Sequence, residues 1–140
     1  SATGSEGDSM SVADLLYSVC IRTGTPLYSQ IGDRMWLDTP IDSWNNTTAA
    51  VVVQIINDRT IGVCPVHVAQ VRFICYGGSE RLDAANAVYQ ALINTLHGAN
   101  AKTDAGTLYA AFFVSGTPCE RNNEDEWAYA DALFEVIYTL

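Results

Sequence analysis

The stretch from Val66 to Gly98 changes its period once, and it does so at a pair of glycines. In VHVAQVRFICY (Val66–Tyr76) residues His67, Ala69, Val71, Phe73 and Cys75 fall on one side, with Gln70 and Arg72 on the other. Beyond Gly77-Gly78, apolar residues recur three or four apart: Leu82, Ala85, Tyr89, Leu92, Ile93 and Leu96. A period of two is a strand with one packed face, and a period near 3.6 is a helix with an apolar stripe. The chain is therefore committed to a sheet that is packed on one face and at least partly polar on the other.

A strand, a glycine turn and a helix start also open many phosphate sites. A P-loop needs a lysine and a Ser/Thr after its glycines, and GGSER offers no lysine and too few residues. The dinucleotide fingerprint GxGxxG is absent, and Glu80 and Asp83 would repel phosphate. The glycines read instead as a turn needing positive φ, with Ser79 as N-cap and His97-Gly98 closing the helix.

The remaining elements follow from the same patterns. Ser11 and Asp14 form a loose capping box, and Leu15, Leu16, Val19 and Cys20 make a helical face, giving a first helix over Ser11–Arg22 that Gly24 and Pro26 end. Leu27–Ala49 reads as a long excursion with a short strand around Arg34–Leu37. Its tryptophans, Trp36 and Trp44, either anchor a partner or fold back onto the core. Ala49–Asn57 is β-branched and suits an antiparallel pair with Val66–Tyr76. Thr107–Gly116 is a third strand, and TPCERNNEDE is a polar loop or hairpin tip.

In Trp127–Leu140 the alanines leave a helix open, but the β-rich end FEVIYTL favours a strand. Ala128, Ala130, Ala132, Phe134, Val136 and Tyr138 would share one of its faces. The expected fold is α/β (α+β): a mainly antiparallel four-stranded sheet flanked by two helices, in the order α-β-β-α-β-β, with the excursion before the first main strand. Residues 1–10 are expected to be a flexible arm and residues 11–140 a single domain.

The chain has 140 residues, 49% of them apolar and 16% charged, which is a globular composition. Its net charge of −9 excludes broad adhesion to DNA or anionic lipid, though not a position facing DNA. Six of its seven cations are arginine, the cation of planar bidentate pairs at contacts; lineage bias would give the same count. No apolar run reaches the length of a membrane span, and the N-terminus lacks the features of a signal peptide, so a cytoplasmic product is expected. Cys20, Cys64, Cys75 and Cys119 are scattered, as reduced buried thiols would be.

Chemistry finds little footing. Cys64-Pro-Val-His67 is two metal ligands of four, with no second pair at metal spacing. There is no GxSxG elbow. The pairs Asp38/Asp42 and Glu124/Asp125/Glu126 lie in hydrated contexts, where they stay ionised. The Asn45–Thr48 sequons carry little weight without a secretory signal. Neither an enzyme, a cofactor nor a metal is expected. The alternative is a small ligand-binding domain or enzyme using His67 or His97 with Cys64 or Cys75.

The strand VHVAQVRFICYG, the helix SERLDAANAVYQALINTLHG and the end LYAAFFVSGTPCERNNEDEWAYADALFEVIYTL together resemble the tail terminator (tail completion, head-tail joining) proteins of long-tailed bacteriophages. The shared pattern is an Arg-bearing strand, a helix with Ala, Leu and aromatic spacing, a strand carrying an "SG…R" loop and a last strand. It covers roughly Leu15–Leu140; Gly32–Ala49 and Glu120–Glu126 match nothing closely. The resemblance implies a hexameric ring in the virion neck, assembled in the host cytoplasm. Such a ring caps the tail tube, stops its polymerisation and meets the head connector or head-completion protein. Genomic DNA passes through its lumen without specific binding, and no membrane is involved. Another neck or tail-tube subunit is the alternative.

A head-to-tail ring needs two complementary patches on each subunit. Arg34, Arg59 and Arg121 against Asp38, Asp42, Glu124, Asp125 and Glu126, with Trp36 and Trp44, are the interface candidates. The acidic charge suits a DNA conduit and equally suits plain solubility.

Overall fold

A computed structural model describes residues 11–40, 44, 47–62, 65–78, 81–121 and 128–140, the side chains of residues 118–121 excepted. The elements run α1 (Val12–Cys20), α2 (Pro26–Ile31), β1 (Met35–Leu37), β2 (Ala49–Thr60), β3 (His67–Gly77), α3 (Leu82–Leu96), β4 (Ala101–Thr103), β5 (Gly106–Arg121) and β6 (Ala128–Thr139). One curled, half-barrel sheet holds the strands in the order β1-β2-β3-β6-β5-β4. β1 runs parallel to β2, and every other neighbouring pair is antiparallel.

This corrects the expected four-stranded antiparallel sheet with two helices. The described residues hold six strands in a mixed sheet and three helices. β1 and β4 have three residues each, too few for alternation to register. α2 is hidden in the sequence because Gly24 and Pro26 read as the end of α1. Thr25 is instead an N-cap whose hydroxyl accepts the Tyr28 N–H (3.2 Å), and Pro26 sits where its missing N–H costs nothing. The parallel β1–β2 pair explains the excursion, since residues 38–48 must carry the chain back to the same end of the sheet.

The long elements begin close to their expected places, but β5 runs on through Thr117–Arg121, where a polar loop or hairpin tip was expected. The Ser11–Asp14 capping box is formed. β6 is a strand, the favoured of the two readings, and buries alternate residues from Ala128 to Tyr138. The α3 cap differs: Arg81 occupies the N-cap with no side-chain bond, and Ser79 lies outside the described residues. Glu80 and the arm, residues 1–10, also lie outside them.

All three helices contribute to the core on one face of the sheet. Leu15, Leu16, Leu27, Ile31, Leu92 and Leu96 join Val71, Phe73, Phe134 and Val136 there. Phe134 takes Phe73 and Phe113 edge-on, with centroids at 5.5 and 5.8 Å. At one end of this face Asp58 accepts a hydrogen bond from Tyr138, and the His67 ring stacks on Tyr138 at 5.1 Å. Burial and the adjoining carboxylate push the Tyr138 hydroxyl well above the usual tyrosine range.

Two glycines set the distance between α3 and the sheet. A Cβ on Gly77 would lie 2.3 Å from the Ala84 carbonyl carbon, and one on Gly116 would lie 2.5 Å from the Tyr89 hydroxyl. Gly78, with φ +80°, makes the turn itself. Backbone cannot yield as a flexible side chain does, so Gly77→Ala should cost about 2–3 kcal/mol of folding stability. Urea unfolding measures this, and a variant as stable as the parent would contradict the contact.

Candidate assembly surface

No described helix packs on the other face of the sheet. Register places Gln54, Arg72, Leu133 and Ser115 in one row across β2, β3, β6 and β5. The next row holds Val52, Ile74, Asp131 and Thr117. Arg72 donates through Nε (3.0 Å) and Nη2 (2.6 Å) to Asp131 Oδ2, and through Nη1 to Gln54 Oε1 (3.4 Å). Asp131 Oδ1 accepts the Thr117 N–H at 3.2 Å. One ion pair thus ties four strands together on the open face. It is only partly screened, because the side chains are 38% and 18% exposed.

Apolar groups flank this polar centre. Phe112 is 45% exposed, and Leu133 and Ile137 are half-buried. On the β1 side, the crossover lays Trp44 over the face. Its ring lies 5.5 Å from that of Trp36 and 5.2 Å from that of Tyr76, and its Nε1 donates to the Thr48 carbonyl at 3.0 Å. By register Arg59, Arg72 and Lys102 share this face with Asp131 and Glu135, so its described side chains carry no net acidic charge in a chain of net charge −9.

The edges formed by β1 and by β5 beyond its short pairing with β4 are both blunted. In β1, Met35 N–H bonds to the Asp33 carbonyl (2.9 Å), and the Leu37 carbonyl accepts from Thr39 (2.7 Å). In β5, Gly98 N–H occupies the Ala111 carbonyl (2.8 Å), and His97 Nδ1 accepts the Phe113 N–H (3.0 Å). Register shifts interrupt β5 at Leu108/Ala110, Phe113/Ser115 and Thr117/Glu120, and Pro118 has no N–H to offer. Such features discourage strand addition, which leaves the open face as the better surface for association.

The interface candidates separate into groups. Arg34, Trp36, Asp38 and Trp44 gather at the β1 side. Arg34 is an internal latch, with Nε bonded to the Ala49 carbonyl at 2.7 Å. Trp44, 9% exposed, belongs to the monomer's own packing, whereas Trp36 is half-exposed beside it. Asp38 is exposed, with φ 66° and its N–H on the Val53 carbonyl at 2.8 Å. Arg59 is exposed near the far end of β2. Arg121 ends β5 opposite Ala128, its side chain not described. Asp42, Glu124, Asp125 and Glu126 lie outside the described residues.

Arg72, Asp131 and Thr117 were not among the candidates. For Arg72 and Asp131 the signal was a charge at the outward parity of strongly apolar strands.

The chemical alternatives gain nothing. His67 Nδ1 lies 3.4 Å from Asp58 Oδ1, and Cys64 lies outside the described residues. Burial pushes the Cys20 thiol up to about 12 and the Cys75 thiol higher still, so neither supplies a thiolate near neutral pH. Among the described residues, no group of three or more His, Cys, Asp or Glu is placed to hold a metal ion. No described helix is long and apolar enough to cross a membrane.

No family model matches the sequence, and no curated protein matches it. The fold does have a solved counterpart. A chain described as "Virion of native gene transfer agent (GTA) particle" superposes with a TM-score of 0.65, covering 87% of this chain and 90% of that one. At 15% identity the likeness is one of fold.

The two tryptophans should part company on truncation. Trp44→Ala is expected to lower folding stability by about 3 kcal/mol, and Trp36→Ala by about 1 kcal/mol. Denaturant unfolding of the two variants compares them, and a larger loss at Trp36 would contradict these placements.

Proposed function

We propose that this chain is a structural subunit of a phage-type virion that forms a ring in the neck. There it caps the tail tube, stops tube growth and joins the tail to the head connector, leaving a lumen for DNA. The observation that carries the reading is the shared fold with a virion particle chain across nearly the whole of both molecules. The resemblance of β3, α3, β5 and β6 to tail terminators points the same way.

The surface supports it physically. A ring subunit has to associate laterally without growing into an open sheet. Blunted edges oppose the second outcome, and an open face without net acidic charge permits the first. An acidic exterior lets DNA slide past instead of binding.

Light scattering across concentration, with negative-stain images of the same samples, tests this. Closed rings that never lengthen, or a monomer recruited to added tail tubes, are the expected results. Filaments would move the assignment to a tube subunit. A monomer indifferent to tubes would overturn the neck role.

A further inference from the structure

Beside Arg72, the open face sinks into a cleft of about 390 Å³ whose lining includes Ser115, Thr117, Asp131 and Leu133. The guanidinium has five N–H donors. Three are engaged, two on Asp131 and one on Gln54. The other two have no protein acceptor among the described residues, and neither do the hydroxyls of Ser115 and Thr117. The cleft is therefore a cluster of unfilled donors with an apolar wall at Leu133, which suits a carboxylate on a short side chain.

We propose that this cleft receives a carboxylate from a second copy of the chain and that Asp38 supplies it. The proposal rests on the ring reading and names the contact that closes the ring. The cleft lies between β6 and β5, and Asp38 follows β1 beyond the opposite side of the sheet. A head-to-tail contact requires two unlike patches of this kind. The Asp38 carboxylate is exposed and has no partner among the described residues. Its backbone is held at φ 66° by the bond to Val53, so little freedom is left to lose on docking. Strongly acidic copies repel one another over most of their surface. They can approach at the open face, where Arg59, Arg72 and Lys102 offset Asp131 and Glu135.

Charge exchange tests the pairing without disturbing Arg72, which holds the sheet together. Ser115→Asp places an acid in the cleft, and Asp38→Lys reverses its proposed guest. Asp38→Asn, which tolerates the same φ, guards against a lysine variant that folds poorly. Circular dichroism confirms folding, and light scattering, with tail tubes added where the parent needs them, reads association. Each single variant should weaken assembly by about tenfold or more, and Ser115→Asp with Asp38→Lys should restore it to within about threefold of the parent. Single variants that assemble normally, while the parent forms rings, would overturn the pairing and leave the ring reading standing. Loss without rescue would overturn Asp38 as the guest. A parent that never assembles, alone or on tubes, would overturn both.

Discussion

α3 lies against the sheet because two glycines let it. At Gly77 the helix backbone approaches to a distance that any Cβ would forbid, and at Gly116 the Tyr89 hydroxyl occupies the space of a missing side chain. Much of the molecule follows from that approach. With α3 seated low, α2 docks through Leu27 N–H on the Thr95 hydroxyl at 3.1 Å, and all three helices fill one hollow. The sheet curls around them, helped by the register shifts in β2 and β5. The opposite face is left without a helix.

That open face has its own organisation. Arg72 and Asp131 fasten the four central strands where helices would otherwise do so, and Trp44 covers part of the β1 side. What stays accessible is a cleft with unfilled donors beside half-exposed Phe112, Leu133 and Ile137. A surface of this kind is neither core nor ordinary solvent face. Its described charges are not net acidic in a chain that is, and the adjoining edges discourage strand addition. Association by the face, with closure instead of extension, is the behaviour these features favour.

Much of this was legible in the chain. The alternation of Val66–Tyr76 and Trp127–Leu140 gave strands with the right residues inward, because a period of two has a single solution when one face is buried. The stripe from Ala85 to Leu96 gave α3. The three-residue strands and the six-residue helix escaped notice because so few positions carry no period. Gly24 and Pro26 read as the end of one helix, yet Thr25-Pro26 begins another. The candidate surface was less legible still. The sequence leaves Trp44 either to a partner or to the core, and its ring packs on Trp36 and Tyr76. Arg72 and Asp131 lie 59 positions apart, and only the register of β3 with β6 brings them together.

The central claim is that the open face is the one buried on assembly, with the helices left outward. Cysteine accessibility tests it in a background lacking Cys64 and Cys119, since Cys20 and Cys75 are buried. A thiol probe at Phe112→Cys on the open face is compared with one at Tyr17→Cys on α1, in free and assembled protein. The account predicts that Phe112→Cys becomes protected on assembly and Tyr17→Cys stays reactive. Protection of Tyr17→Cys with Phe112→Cys still reactive would contradict it.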